Sequence, residues 1–183
     1  MTGSFCTLSQ VMPQVAKMVS AGAKVVPIIS EMVNETDTRF GRAEEWKERL
    51  YDITGCHPLV GVKETEPIGP KGLLDLLVVA PCTGNTLGKL ATGITDGGVT
   101  MAVKAHLRNQ RPVVIAVSTN DGLSGAAKNI GALLNMKHIF FVPFGQDDPV
   151  GKPRSLVAQM GLIFDTAALA LNGEQIQPIF QNK

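Results

Sequence analysis

The amino-acid sequence predicts an α/β fold with a doubly wound parallel sheet, on three observations. Apolar runs without alternating polar positions occur at residues 76–80 and 112–117, and such runs are typical of strands buried on both faces. Segments with apolar residues at helical spacing lie between the runs. Small polar residues directly follow both runs. Strands that alternate with helices in this way predict a parallel sheet.

The composition indicates a single domain over residues 1–183. With 44% hydrophobic residues the chain can bury a hydrophobic core. A net charge of +1 and 5% aromatic residues argue against a nucleic-acid-binding or membrane-surface protein. No stretch has the pattern of a signal peptide, a lipidation motif or a membrane span. Three separated cysteines, and histidines without ligand spacing, predict no metal site and a reducing cytoplasm.

The first predicted helix follows a Gly-Ser pair at the start of the chain and ends at Gly22. Ser4, Thr7 or Ser9 could cap it. A doubly wound fold places its first strand near the centre of the sheet, but no strand precedes this loop. Either a first strand lies upstream of Met1, which we favour, or another segment of the chain fills this position. The helical spacing itself rests on Leu8, Val11, Met12, Val15, Met18 and Val19.

Residues 24–30 are predicted to form the next strand, in which Pro27 indicates an edge position or a bulge. Polar residues 34–38 are expected to connect it to a helix over 44–53 that ends at Gly55. Residues 58–70 have no clear period and contain four charged residues, so we expect an exposed connection. The core-facing stripe of the helix is Trp46, Leu50 and Ile53.

The run at residues 76–80 leads into the most informative loop. Pro81 has no N–H for a ladder and is expected to end the strand. Residues 82–86 are small and polar, and helical spacing starts at Leu87. Such a junction is the usual ligand crevice of an open α/β sheet, and a helix N-terminus suits a phosphate. An N-cap role for Thr83 or Asn85 explains the local pattern as well.

The run at residues 112–117 repeats this arrangement after a predicted helix over 98–109. His106 is interpreted as a partly buried residue of that helix rather than a catalyst. Ser118, Thr119, Asn120 and Asp121 follow the strand, so two neighbouring parallel strands predict one shared crevice. Alternatively, these residues cap a helix over 123–134, and both roles are compatible.

The last part of the chain is predicted to hold a strand at 138–143 and a helix at 155–171. The charged loop between them, residues 145–153, is longer than a connection needs. The tail, residues 172–183, is apolar over 176–180. We expect this tail to dock on a neighbouring subunit.

Several motifs resemble the FMN-dependent cysteine decarboxylases of the flavoprotein family. That resemblance implies a flavodoxin/Rossmann-like three-layer flavoprotein fold and an FMN site. The position of the family's catalytic histidine holds Pro67, and only Asn120 is retained from its Pro-x-Met-Asn segment, which disfavours decarboxylation. The motifs are Thr2-Gly3-Ser4, Ala80-Pro81-Cys82-Thr83-Gly84-Asn85-Thr86 and Lys89-Leu90-Ala91.

A second resemblance covers nearly the whole chain and is to the B subunits of bacterial dipicolinate synthases. It implies that an NADP-binding A subunit and this chain oxidise a cyclic lysine-pathway intermediate to dipicolinate during sporulation, in the mother-cell cytoplasm. No G-x-G-x-x-G is present, so NADP is expected on the partner. The resemblance to the flavoprotein family also implies that this chain forms homo-oligomers. The motifs include Thr38-Arg39-Phe40-Gly41 and Phe144-Gly145-Gln146-Asp147-Asp148-Pro149.

These patterns predict one cofactor site and four weaker substrate candidates. Arg39 and Arg111 could pair with substrate carboxylates, while Asp147 and Asp148 could serve acid–base steps. A solvated acidic loop is nevertheless the preferred interpretation for the two aspartates, and a surface or interface position for the two arginines. No catalytic residue is predicted. Two alternatives stay open, an FMN-binding decarboxylase or prenyltransferase-type enzyme and a non-catalytic scaffold. The expected FMN or phosphate contacts are Gly3, Ser4, Thr83, Gly84, Asn85, Thr86, Ser118, Thr119 and Asn120.

Overall fold

A computed structural model describes residues 1–181 of the chain. The two longest strands of the described residues are formed by the predicted apolar runs, and most of their residues are buried. In chain order the elements are α1 (Phe5–Ser20), β1 (Ile28–Ile29), α2 (Glu31–Glu35), α3 (Ala43–Thr54), β2 (Leu59–Val60), α4 (Gly61–Thr65), α5 (Ile68–Lys71), β3 (Leu77–Cys82), α6 (Gly84–Thr92), α7 (Gly98–Leu107), β4 (Val113–Thr119), α8 (Ala127–Leu134), β5 (Ile139–Phe141), β6 (Phe144–Gly145), β7 (Leu156–Ala158), a 3₁₀ turn (Met160–Leu162) and α9 (Ile163–Leu171).

The larger sheet is centred on β4, which pairs in parallel with β3 and with β5. Near its carboxyl end, β4 pairs with β7 in the antiparallel direction, and β6 pairs with β7. The predicted α/β class is therefore confirmed, and an antiparallel extension makes the sheet mixed. A separate parallel pair joins β1 to β2.

Two groups of helices pack on the sheet. Helices α1 and α9 contact each other and the strands, while α6 contacts both α7 and α8, which also reach the strands. The helix α3 confirms the predicted stripe, since Trp46 and Leu50 are buried. It ends where predicted, because Gly55 adopts the left-handed conformation and donates to the Tyr51 carbonyl at 2.7 Å. None of the helices within residues 1–181 is long and apolar enough to cross a membrane.

Four predicted elements need correction. The strand before the loop continues through Pro81 to Cys82, with a register shift beyond Val79. Residues 58–70 are not an exposed connection, because β2, α4 and α5 lie there and Ile68 is buried. Residues 156–158 form a strand rather than helix, and the helix predicted from residue 123 begins at Ala127. In each case, tertiary pairing or packing overrides a weak local period.

The tail binds its own chain over the described residues. The Phe144 N–H donates to the Ile179 carbonyl at 3.0 Å, and the Gln181 N–H donates to the Phe144 carbonyl at 3.1 Å. The side chain of Gln175 bonds both backbone groups of Phe141, each at 2.7 Å. Docking on a neighbouring subunit stays a prediction, and residues 182–183 lie outside the described residues.

Candidate functional site

The loop after β3 is held by its own hydroxyls. Thr83 is the N-cap of α6, and its Oγ1 accepts from the Thr86 N–H at 3.2 Å. The two threonine hydroxyls lie 3.0 Å apart. The capping interpretation is thus confirmed for Thr83 rather than Asn85. Because Thr83 takes the cap, the side chain of Asn85 is left available at the first turn of the helix.

Thr2 fastens the start of the chain to this loop. Its hydroxyl donates to the Pro81 carbonyl at 2.8 Å and accepts from the Thr83 N–H at 3.0 Å. Thr2 is only 2% exposed, so these bonds are shielded from water. They bring the adjacent Gly3 next to the N-terminus of α6.

A cleft of about 340 Å³ opens at this place, near the carboxyl ends of β1 and β3. Its volume lies in the lower part of the range for ligand pockets. Four of the nine predicted cofactor residues line it, namely Gly3, Thr83, Asn85 and Thr86. The other lining residues are Thr2, Ser30, Glu31, Met32, Lys89, Asp96, Gly97, Val99 and Thr100.

Sequence reasoning missed the wall that follows β1. Ser30 caps α2 by accepting from the Val33 N–H at 3.4 Å, and Glu31 and Met32 come next. Gly3 faces this wall so closely that a Cβ there would lie 3.0 Å from the Met32 Cγ. The available signal was Ser30 itself, a capping residue directly after an apolar run.

Charged groups in the cleft are paired or bonded. Glu31 accepts from the Gly98 N–H at 3.0 Å, at the N-terminus of α7. Lys89 contacts both oxygens of Asp96, at 2.8 and 2.9 Å. Hydrogen bonding from Lys89 lowers the pKa of Asp96 below its ordinary value. With Lys89 balanced by Asp96, the Glu31 carboxylate leaves the cleft with a negative charge.

Ser4 and Ser118 meet beside the cleft without lining it. Their hydroxyl oxygens lie 2.7 Å apart, and the Thr7 hydroxyl is 3.2 Å from each. Ser118 is buried. This cluster ties the first turn of α1 to the end of β4, so its geometry serves to position Gly3 and Thr2.

Thr119 packs behind the first residue of α6. Its hydroxyl donates to Asp121, and a Cβ on Gly84 would lie 2.5 Å from the Thr119 Oγ1 and 2.6 Å from the Asp121 Oδ1. Gly84 is therefore required for this close approach rather than for ligand access. Asn120 is exposed in the turn that follows. Of the two strand ends that were predicted to share one crevice, those of β3 and β4, only the loop after β3 lines the cleft.

The two arginine candidates lie away from the cleft. Arg39 is exposed, with its guanidinium over the Phe40 ring at 4.8 Å. Arg111 donates to the carbonyls of Gly72 and Leu74, which precede β3. Arg111 itself precedes β4, so it lies at the amino ends of the parallel strands. The cleft is at their carboxyl ends.

The two acidic candidates organise their own loop. Asp148 accepts from the Gly151 N–H at 2.8 Å, and Asp147 pairs with Lys152 at 3.3 Å. Gln146 donates to the Pro153 carbonyl at 2.8 Å, which closes the loop. Neither aspartate lines the cleft.

The histidines are placed outside the cleft as well. The His106 ring bonds the Pro112 carbonyl at 3.0 Å, and burial lowers its pKa, so the ring is neutral at pH 7. His57 stacks on Tyr51. Within residues 1–181 there is no group of three or more His, Cys, Asp or Glu side chains that could hold a metal ion.

The donors in the cleft suit a phosphate-bearing ligand. Ser30, Asn85 and Thr86, which carry two hydroxyls and an amide, line one space together with Thr83, the N-cap residue of α6. Helix N-termini favour anions through free N–H groups and the macrodipole. The apolar side chains of Met32 and Val99 offer a surface for a flat ring. The residues present therefore fit a nucleotide-like cofactor such as FMN.

Comparison with known proteins assigns the chain to a family. The model of the family named Flavoprotein matches residues 60–162. The B subunit of dipicolinate synthase from Bacillus subtilis (strain 168) is 48% identical over 179 residues, which are 98% of this chain and 90% of that protein. The chain belongs to the dipicolinate synthase B subunits of the flavoprotein family.

Solved structures of the family agree with this fold. The crystal structure of the dipicolinate synthase B subunit from Bacillus halodurans has a TM-score of 0.90 and 45% identity, covering 99% of this chain and 93% of its own. The FMN-dependent cysteine decarboxylase SpaF has a TM-score of 0.69 at 20% identity, covering 93% of each chain. The second likeness shows the shared fold alone.

Proposed function

We propose that this chain is an FMN-binding B subunit of dipicolinate synthase. The observation that carries the proposal is the cleft at the carboxyl ends of β1 and β3, where Gly3, Ser30, Asn85 and Thr86 converge on the N-terminus of α6. An open α/β sheet binds its ligands at this end of the strands. FMN-dependent proteins share the fold.

Each wall of the cleft takes a separate part in holding FMN. The N–H groups of α6 and the hydroxyls of Thr86 and Ser30 would hold the phosphate through hydrogen bonds. The Asn85 amide can both donate and accept, which suits the edge of the ring system. A bound flavin would supply hydride-transfer chemistry between the substrate and the final acceptor. The charge of Glu31 opposes phosphate in the adjacent space and so biases where that group binds.

The proposed reaction is oxidation of a cyclic lysine-pathway intermediate, dihydrodipicolinate or its hydrated form, to dipicolinate. Dihydrodipicolinate loses one hydride, which NADP⁺ accepts, and one proton, which passes to water; the hydrated form first loses water. NADP is placed on an A subunit, because the glycines Gly84, Gly88 and Gly93 do not form a G-x-G-x-x-G motif. The names of the two relatives, each of them a B subunit, agree with a two-subunit enzyme.

The other activities considered have less support. Decarboxylation has less support because Pro67, at the N-cap position of α5, stands where the resemblance places the catalytic histidine of the decarboxylases. The cleft contains no histidine within the described residues. A non-catalytic scaffold predicts an A subunit that turns over fully alone.

The first test is an absorbance titration of the purified chain with FMN. We expect a shifted, vibronically resolved flavin band, lost or weakened at least tenfold in Asn85→Ala. The matched control is Asn135→Ala, since Asn135 is an exposed residue at the end of α8. A flat titration of the wild-type chain at saturating FMN overturns the cofactor assignment.

The second test measures NADP-dependent oxidation with the A subunit present. We expect the rate of the complex to fall with Asn85→Ala and not with Asn135→Ala. An A subunit that is equally active alone overturns the catalytic role while leaving the FMN titration unaffected.

A further inference from the structure

One cation lines the candidate cofactor cleft. Among the described residues around the cleft, Lys89 is the one lysine or arginine. It lies in the last turn of α6, at positions i+4 from Asn85 and i+3 from Thr86. Residues at these spacings share one face of a helix, and four residues advance about 6 Å along its axis. The cleft therefore offers a positive side chain at a second place, one turn beyond the N-terminal residues of α6.

The ammonium group of Lys89 has a partner that is easily exchanged. It contacts both carboxylate oxygens of Asp96, at 2.8 and 2.9 Å. The side chain of Lys89 is 31% exposed and that of Asp96 is 57% exposed, so the pair lies where the cleft opens to water. An ion pair of this kind contributes little to stability, because water solvates and screens both charges. A carboxylate that enters from solvent can therefore replace Asp96 without a large loss of stability.

The proposed substrate requires a positive partner. Dihydrodipicolinate carries two carboxylates, and burial of a carboxylate without a partner is strongly unfavourable. Arg39 and Arg111, the cations expected from the sequence, do not line the cleft. Glu31 has the same sign of charge as the substrate, and its carboxylate accepts from the Gly98 N–H. Lys89 is thus the side chain of the cleft whose charge and three N–H donors match a carboxylate.

We propose that Lys89 selects the dicarboxylate substrate by exchanging Asp96 for one of the two substrate carboxylates. In this exchange the ammonium group donates to the substrate, and the Asp96 carboxylate becomes fully hydrated. Lys89 is a specificity-determining residue, because it binds a group of the substrate that does not change in the reaction. The inference rests on the proposed function, since it names the residue that recognises the substrate in the same cleft.

The two members of the ion pair have opposite roles in this proposal. Lys89→Gln removes the charge that binds the substrate, whereas Asp96→Asn removes the anion that competes with the substrate. A pair that serves only to join α6 to the start of α7 would behave differently. Either substitution would then break the same link, and both would weaken ligand binding alike. The sign of the Asp96→Asn effect therefore separates substrate recognition from structural support.

The test is calorimetric binding of dipicolinate to the complex of this chain with the A subunit, in the presence of FMN. We expect Lys89→Gln to weaken binding at least about tenfold, as for the loss of one charge-assisted hydrogen bond. We expect Asp96→Asn to strengthen binding about 2- to 5-fold, as for the removal of one exposed ion-pair partner. Lys128→Gln is the matched control, since Lys128 is exposed in α8 and does not line the cleft.

Two further measurements assign the effect to recognition of the second carboxylate. Picolinate has the ring of dipicolinate but a single carboxylate, so the wild-type complex should prefer dipicolinate. This preference should shrink in Lys89→Gln. In turnover, the KM for the substrate should rise in Lys89→Gln while kcat changes little, because the lost contact is made equally before and during the reaction.

The outcomes that overturn the proposal are distinct from those that overturn the cofactor assignment. Equal dipicolinate affinities of wild type and Lys89→Gln overturn the proposal, as does a wild-type complex that does not bind dipicolinate. Weaker binding in Asp96→Asn also overturns it. If Lys89 serves the phosphate of FMN, Lys89→Gln weakens FMN binding and leaves dipicolinate binding unchanged, which again overturns it. A flat FMN titration together with the expected dipicolinate affinities removes only the cofactor assignment.

Discussion

Thr2 is bonded twice to Pro81: its N–H and its hydroxyl both donate to the Pro81 carbonyl, at 3.2 and 2.8 Å. The same hydroxyl accepts from the Thr83 N–H. The start of the chain, the end of β3 and the cap of α6 are therefore one hydrogen-bonded unit. The shape of the candidate cofactor cleft therefore depends on Thr2, an uncharged residue.

Removal of the Thr2 hydroxyl should destabilise the fold and the cleft together. Thr2→Val keeps the side-chain shape but leaves the partly buried Thr83 N–H without its acceptor, at a cost of about 1–3 kcal/mol. Chemical denaturation measures this loss, and an FMN titration should weaken in parallel. Thr92→Val is the control, since the exposed Thr92 hydroxyl bonds only carbonyls of its own helix. Equal stability of the two variants would contradict the structural role of Thr2.

The stability of the chain that begins at Met1 should rise with pH between about 5 and 8. Burial lowers the pKa of the Met1 amino group from its ordinary value of 8.0 to about 5. In this window the unfolded chain binds a proton that the folded chain does not, so raising the pH favours folding. The gain is at most about 4 kcal/mol.

Acetylation of the Met1 nitrogen supplies the control for this pH dependence. The acetylated chain keeps an N–H donor but cannot titrate there. Burial also lowers the pKa of His106, and that contribution is present in both chains. The difference between the two denaturation profiles therefore isolates Met1. Profiles that run parallel from pH 5 to pH 8 would show that the amino group is not desolvated.

Two glycine-to-alanine changes should act in opposite directions. Gly84→Ala places a methyl against Thr119 and Asp121 and should cost roughly 1 kcal/mol or more through overpacking. Gly131→Ala, inside α8, meets nothing within 4 Å and should stabilise by roughly 0.5–1 kcal/mol. The thermal unfolding midpoints of both variants, compared with wild type, test these two expectations. A Gly84→Ala midpoint at or above that of wild type would mean that the Thr119–Asp121 pair moves freely.

Neutralising Glu31 should strengthen anion binding in the cleft. Glu31→Gln keeps an oxygen for the Gly98 N–H and removes a negative charge next to the proposed phosphate position. We expect FMN to bind roughly 2- to 5-fold more tightly at low salt, as for one charge at a helix terminus. Glu35→Gln is the control, since Glu35 is exposed at the far end of α2. A gain that persists unchanged at high salt would rule out this electrostatic explanation.

Local sequence signals located the elements that are buried or capped by their own residues. The runs that became β3 and β4 needed no knowledge of their neighbours, because burial on both faces makes a strand apolar throughout. The helix α3 was equally clear from Trp46, Leu50 and its terminal Gly55. Short elements were not predictable in this way. Residues 156–158 form a strand because the ends of β4 and β6 offer hydrogen bonds there.

The residues of the cleft likewise divide into those that local sequence signals identified and those that they did not. Gly3, Thr83, Asn85 and Thr86 were found because they follow the start of a chain segment or the end of a strand. Glu31 was missed because only the tertiary structure brings the residues after β1 next to the first turns of α6 and α7. Ser118 and Thr119 lie at the end of β4, where their hydroxyls bond Ser4 and Asp121, and they do not line the cleft.

By itself, then, the sequence determined the class of fold, the strand-to-helix loop with a cap at Thr83 or Asn85, and the family resemblance. These depend on residue types within a few positions of each other, where spacing and propensity act directly. Only the tertiary structure decided which strand ends share a cleft and which charges enter it. Those outcomes depend on register between distant segments, and a register is set by the whole set of paired edges rather than by any one of them.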